Sequence, residues 1–215
     1  MLQAKNISYK YPRGKDWVLR NFSADFQKNH ITAIMGPNGC GKTTLSKILV
    51  GICKPQRGNV YLDDVDIGGL SLAEVGEKIG LVMQNPNRQI FCTSVWDEVT
   101  YGLKNQQLPT AEIEQRAKFY LEYFQLWQHK DKFPFEMSYG EMQRLVLAAV
   151  LAMKPQYLLL DEPTASLDVY RQRLLGEQLQ RVRQELRCGI IIISHDKRFI
   201  EKFTETQVRM EVAAK

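Results

Sequence analysis

The feature that most constrains this chain is an eight-residue run, Gly36-Pro37-Asn38-Gly39-Cys40-Gly41-Lys42-Thr43, which matches G-x-x-x-x-G-K-[ST]. It follows the apolar stretch His30–Met35, which reads as a buried strand, and runs into a helical pattern over Lys42–Val50. Glycines at this spacing let backbone N–H groups turn inward around phosphate oxygens. The helix that starts at the end of the loop adds the positive end of its dipole. Lys42 is then expected to reach the β- and γ-phosphates of a nucleotide, and the Thr43 hydroxyl to bind Mg²⁺.

Such a loop needs a sheet to sit on. Strand-like stretches open the chain at Leu2–Tyr9 and Val18–Phe26, and further strands are predicted at Val60–Leu62, Ile79–Met83, Tyr157–Leu160 and Ile190–Ile193. Helical patterns cover Val95–Asn105, Thr110–Leu126, Tyr139–Met153 and Tyr170–Arg187, with Pro109-Thr110 as a start signal. Strands alternating with helices imply an α/β fold with a mostly parallel sheet covered on both faces. The helical middle reads as an insertion. One domain is expected, with residues 1–85 and 146–215 as its α/β core and about 86–145 as a helical subdomain.

Composition sets outer bounds only. A chain of 215 residues, 44% apolar and 25% charged, can bury a core without disulfides or a structural metal. Cys40, Cys53, Cys92 and Cys188 are scattered, with no C-x-x-C spacing, so reduced thiols are expected. A net charge of +5 suits an anionic ligand, an anionic membrane surface or nucleic acid, and selects none of them. No secretory signal is visible in Met1–Lys10, and the longest apolar run, Leu145–Met153, is about half the ~20 residues of a bilayer crossing. Work at a membrane would therefore go through a partner.

Two apolar strands end in polar residues suited to phosphoryl chemistry. Tyr157–Leu160 delivers Asp161 and Glu162, and Ile190–Ile193 delivers Ser194 and His195. A parallel strand presents its C-terminal end to the ligand crevice, so Asp161 is the expected Mg²⁺ carboxylate. Glu162, one residue on, is the expected general base for an attacking water, and His195 a contact to the γ-phosphate. Ser138-Tyr139-Gly140-Glu141 fits a capping box at the start of a helix. It equally fits a helix N-terminus bared by Gly140 for an anion, and the residues alone leave both readings open.

The motifs Gly36–Thr44, Gln84-Asn85-Pro86, Met137–Arg144, Leu160-Asp161-Glu162-Pro163-Thr164, Ser166-Leu167-Asp168 and His195 stand in that order. The set resembles the nucleotide-binding subunit of ABC transporters over nearly the whole chain. Within that family, residues 84–91 and Val150–Pro155 are most similar to the ATPases of energy-coupling factor (ECF) and cobalt-type importers.

The resemblance implies a P-loop NTPase core with an N-terminal antiparallel β portion and an inserted helical subdomain. It implies ATP hydrolysis with Mg²⁺, the nucleotide held by Gly36, Pro37, Asn38, Gly39, Cys40, Gly41, Lys42, Thr43 and Thr44. Tyr11 would stack on adenine, and Gln84 would contact Mg²⁺ beside Thr43 and Asp161. Ser138, Gly140 and Glu141 would bind the γ-phosphate held by the other subunit of a head-to-tail dimer, and Asp168 would cross that interface. The common L-S-G-G-Q signature reads Met137-Ser138-Tyr139-Gly140-Glu141 here.

The resemblance further implies a dimer with itself or a related ATPase. An integral membrane subunit would be its partner, no nucleic acid is expected, and the location would be the cytoplasmic face of the membrane. The activity would be uptake of a small nutrient such as a vitamin or metal ion. The alternative is a soluble ABC-type ATPase acting on nucleic acid or ribosomes, favoured by the basic charge and by Arg171, Arg173, Arg181, Arg183 and Arg187 on one helix. Two local expectations follow. Ile90, Phe91, Val95 and Trp96 beside Asp97 and Glu98 would form an apolar patch with an acidic rim, or pack inside the helical insertion. Cys40 would be either a reactive thiol or an inert small residue filling the loop.

Overall fold

The computed structural model describes residues 1–14, 16–165 and 167–212; Ser166 of the predicted motif lies outside them. The chain divides into two compact units, Met1–Leu81 with Gln156–Lys215, and Val82–Pro155.

The first unit holds two sheets. Strands β1 (Leu2–Tyr9), β2 (Leu19–Phe26), β4 (Arg57–Leu62) and β5 (Val65–Asp66) form an antiparallel sheet in the order β2-β1-β4-β5. Strands β3 (Ile31–Met35), β6 (Ile79–Val82), β7 (Tyr157–Asp161), β8 (Gly189–Ile193) and β9 (Thr206–Arg209) form the second, in the order β6-β7-β8-β3-β9. Here β7, β8, β3 and β9 pair in parallel, with Asp161 level with Ile193 and Ile34 level with Ile193 on the other side. Strands β3, β7 and β8 are buried almost throughout, which is why they read as largely apolar runs without alternation, Thr32 excepted. Tyr157 ties the sheets together: its hydroxyl accepts from Leu2 N at 3.0 Å and donates to Phe26 O at 2.9 Å. Desolvation pushes that phenol up to about 12.

Helix α1 (Lys42–Leu49) follows the glycine loop, and α6 (Val169–Leu186) precedes β8. The periodicity does not disclose β5, β9 or two short α-helices. Helix α2 (Leu72–Lys78) is a two-turn element started by a Ser71–Glu74 capping box. Helix α7 (Lys197–Phe203) is capped by Asp196. Strand β9 is polar and short, and its pairing to β3 is a tertiary event that its own residues do not announce.

The second unit is helical. It packs α3 (Val95–Asn105), α4 (Thr110–Tyr123) and α5 (Tyr139–Ala152) against one another around Val99, Leu103, Leu121, Phe124, Leu145 and Ala148. Helix α4 stops at Tyr123, three residues short of the expected Leu126, because Gln125 takes a left-handed conformation (φ 57°). Helix α5 belongs wholly to this unit, which therefore runs to Pro155 and not to 145.

Candidate functional site

The parallel pairing brings three loops to one edge of the sheet. The glycine loop leaves β3, Asp161 and Glu162 close β7, and Ser194 and His195 follow β8, the strand between them. Two glycines have specific jobs. Gly41 caps α1 at φ 95°, a left-handed conformation that costs a side-chain-bearing residue. A Cβ at Gly36 would meet both Cys40 Sγ and Met210 O at 2.6 Å, so the loop closes only around a glycine.

Within the loop, Lys42 is 9% exposed and donates to Gly36 O at 2.8 Å and Pro37 O at 3.1 Å. An ammonium has three protons, so one remains for a phosphate oxygen after the lysine has tied the loop. The Tyr11 hydroxyl shares a hydrogen bond with Thr44 Oγ1 at 3.0 Å, and its ring stands edge-on to Tyr9. Tyr11 is 41% exposed, so a ring face is open to a planar ligand beside the start of α1.

Cys40 is buried, 1% exposed, with its sulfur packed beneath Gly36. The reactive-thiol expectation is corrected: this cysteine is a small filler of the loop, as inaccessible to an alkylating reagent as the core around it.

Asp161 carries the clearest electrostatic signal. Desolvation raises its carboxyl above the ordinary range, Glu162 adds to the rise, and a Thr43 hydrogen bond with Lys42 and Lys47 oppose it. Its Oδ1 is buried without a hydrogen-bond partner. A buried carboxylate oxygen left unpaired beside a hydroxyl fits an oxygen-ligated cation. Among the described residues no cluster of three His, Cys, Asp or Glu could hold a metal alone.

Glu162 sits at φ 48°, strained for a glutamate, with its amide donating to Ile193 O at 2.8 Å. Its Oε2 lies 2.9 Å from His195 Nδ1. A carboxylate only accepts, so the proton sits on Nδ1, and Nε2 is turned away from Glu162. Ser194, named with His195 at the end of its strand, has a structural role that the sequence did not assign. It is fully buried, bonds Thr164 Oγ1 at 3.2 Å and accepts from Asp196 N, thereby fixing the loop that carries His195. A serine directly after an apolar strand was the available signal. Asp168 caps α6, accepting from Arg171 N at 2.8 Å.

Gln84 and the Ser138 segment belong to the second unit. Ser138 and Glu141 form the expected capping box: the Ser138 hydroxyl and amide donate to Glu141 Oε2 at 2.7 and 2.8 Å. The Ser138 hydroxyl, then its amide, hold the Glu141 carboxyl below its usual range, and His129 and Lys132 add to this. His129 Nε2 lies 3.5 Å from Glu141 Oε1. A Cβ on Gly140 would meet only Arg144 Nη1, at 4.0 Å, and its φ is not left-handed. Nothing in its own chain requires that glycine, which leaves room for an external group to approach the start of α5.

The patch around Phe91 is corrected. Ile90 and Val95 are core residues, 4% and 0% exposed. Glu98 is no acidic rim: it is buried, and its Oε2 accepts from Phe91 N at 3.1 Å and Cys92 N at 2.8 Å. What stays exposed is Phe91, edge-on to Tyr101 at 4.8 Å between ring centroids, with Met83 exposed nearby in sequence.

Residues 19–165 match the ABC transporter family model. A Pyrococcus furiosus protein provisionally named as an ABC transporter ATP-binding protein is 40% identical over 91% of this chain and 74% of its own. The energy-coupling factor transporter ATP-binding protein EcfA1 of Caldanaerobacter subterraneus is 35% identical over 91% of this chain and 72% of its own. Among solved structures, cbiO1 of Clostridium perfringens, part of the ABC transporter complex cbiONQ, superposes with a TM-score of 0.90 at 33% identity, covering 99% of this chain and 86% of that one. A dimeric ATP-binding cassette in a post-hydrolysis state, bound to ADP and Pi, superposes with a TM-score of 0.84 at 27% identity, covering 100% and 97%. The chain belongs to the ABC transporter family, as one of its ATP-hydrolysing, nucleotide-binding subunits.

Proposed function

We propose that two copies of this chain, or one copy and a related ATPase, close around ATP and open after hydrolysis, driving an ECF-type membrane importer of a small nutrient. The observation that carries the hydrolytic part is the convergence of Lys42, Asp161 and the Glu162–His195 pair at the ends of three neighbouring parallel strands. Backbone amides of residues 38–44 and Lys42 hold the phosphates, Gly36 and Pro37 shape the loop, and Tyr11 stacks on the base. Thr43, Asp161 and Gln84 would hold Mg²⁺, which when bound neutralises charge on the β- and γ-phosphates. Glu162, oriented by His195, takes the proton of the attacking water, and His195 Nε2 faces the γ-phosphate. Ser138, Gly140 and Glu141 of the other subunit complete the site, a role supported by the open space at Gly140 and by the dimeric relative.

The membrane role rests on kinship with EcfA1 and cbiO1 and on the exposed Met83, Phe91 and Tyr101. No helix of the described residues is long and apolar enough to cross a membrane. A membrane subunit would therefore supply the translocation path, and this chain would sit at the cytoplasmic face. The rival reading, action on nucleic acid or ribosomes, loses support because Arg173 pairs with Glu177 and Arg183 with Glu205. Purification of the tagged chain from detergent-solubilised native membranes tests the choice. Recovery with integral membrane subunits whose presence stimulates ATP turnover is expected; recovery with ribosomes or nucleic acid alone would contradict it.

A further inference from the structure

Tyr139 occupies a position where the family signature has glycine, and its side chain is engaged. Its hydroxyl donates to the backbone oxygen of Gln84 at 3.0 Å, across 55 residues of sequence and within one compact unit. We propose that Tyr139 is a positioning residue that ties the Gln84 segment to the N-terminus of α5, so that the two nucleotide contacts expected of this unit move together.

The physical argument starts from the peptide bond. A phenol bonded to a carbonyl oxygen restrains the orientation of the whole planar peptide unit, and with it ψ of Gln84 and the backbone on which its side chain stands. The segment beyond is bonded to itself. Met83 N donates to Gln89 Oε1 at 3.0 Å, Asn87 N to Asn85 Oδ1 at 3.0 Å, and Gln89 N and Ile90 N to Pro86 O at 2.9 and 3.0 Å. The 3-10 turn Pro86–Arg88 packs on α5, with Pro86 buried. Residues 83–90 therefore respond to a displacement as one body, and the Tyr139 hydroxyl holds that body to the turn carrying Ser138 and Gly140.

On the phosphate side, Ser138 and Gly140 flank Tyr139, so any shift of the ring is felt by both within one residue. The glycine of the common signature has no side chain with which to make this bond. The proposal rests on the reading given above, in which Gln84 serves the nucleotide of its own subunit and Ser138 that of the other. Under it, Tyr139 joins the two ATP sites through this unit and steepens their joint response.

Tyr139→Phe removes the hydroxyl and keeps the ring, and two measurements read its effect. In the Glu162→Gln background, ATP-induced dimerisation is followed by light scattering. Adding Tyr139→Phe is expected to raise the ATP concentration at half-dimer by about 2- to 10-fold, the span of one neutral hydrogen bond, and to flatten the curve. In the otherwise unchanged chain without nucleotide, hydrogen exchange is expected to quicken in peptides covering residues 84–91 and to stay constant in α3 and α4.

Unchanged exchange at 84–91 would overturn the tether, and quickened exchange with an unchanged dimerisation curve would overturn the coupling. Faster exchange throughout the second unit with a fall in Tm would make the hydroxyl a mere structural prop and would equally overturn the proposal. If Glu162→Gln alone forms no dimer with ATP, the dimer reading fails, and the tether is then judged on exchange alone.

Discussion

Asp161 is a residue whose environment opposes folding and serves binding. Its carboxyl is raised, chiefly by desolvation and then by Glu162, so ionising it in the folded chain costs free energy. The sign follows from linkage: a carboxylate with a raised folded pKa destabilises above that pKa, and the cost disappears as pH falls through it. Asp161→Asn is therefore expected to leave the Tm of the nucleotide-free chain unchanged or higher at pH 7, while abolishing Mg-dependent ATP turnover. Calorimetry with a turnover assay reads both. A clear drop in Tm would mean that the carboxylate is a structural acceptor, against its unpartnered Oδ1. Glu162, the base of the proposed mechanism, is likewise a non-glycine residue held at φ 48°.

At the scale of elements, the loop–helix junctions of the second unit depend on single carboxylates. Glu98 satisfies two backbone amides at the entrance to α3 while itself buried. Glu98→Ala would deprive both N–H groups of their acceptor in a partly buried site, a loss of about 1–3 kcal/mol that urea unfolding can measure. A change below a few tenths of a kcal/mol would contradict that role. The capping box of α5 gives a pH signature instead. Glu141 is held low, first by the Ser138 hydroxyl, so its contribution is present above the ordinary carboxyl pKa near 4.5 and is lost as pH falls below that value. Glu141→Gln should flatten the fall in stability between about pH 5 and 3. An unaltered slope would assign the acid sensitivity to other carboxylates, among them Asp63 and Glu74.

These elements also show what a sequence can and cannot disclose. Strands β3, β7 and β8 were legible because both their faces are buried, which leaves largely apolar runs ending abruptly in Gly36, Asp161 and Ser194. The capping box was legible because it is local. Strand β9 was not, since its polar residues join the sheet only through β3, as in the Thr32–Thr206 hydroxyl pair at 2.8 Å. The burial of Ile90, Val95 and Glu98 was hidden for a related reason: a short loop entering a helix has no period that tells inside from outside. Tyr139 was hidden because its partner is a backbone oxygen 55 residues away.

For the whole molecule, the order of strands matters more than any single motif. Placing β8 between β7 and β3 sets the His195 loop between Asp161–Glu162 and the phosphate loop, so residues more than a hundred positions apart share one edge. The helical unit inserted between β6 and β7 brings its own capped helix start at Ser138, with a glycine that its own packing does not need. On the function proposed above, hydrolysis depends on Glu162 as the base that His195, 2.9 Å away, orients. The most direct test is steady-state ATP turnover of Glu162→Gln beside the parent at saturating Mg-ATP, with nucleotide binding confirmed for both. A loss of at least about 10²-fold with binding retained is the expected result; turnover within a fewfold of the parent would remove Glu162 from the chemistry and contradict the mechanism.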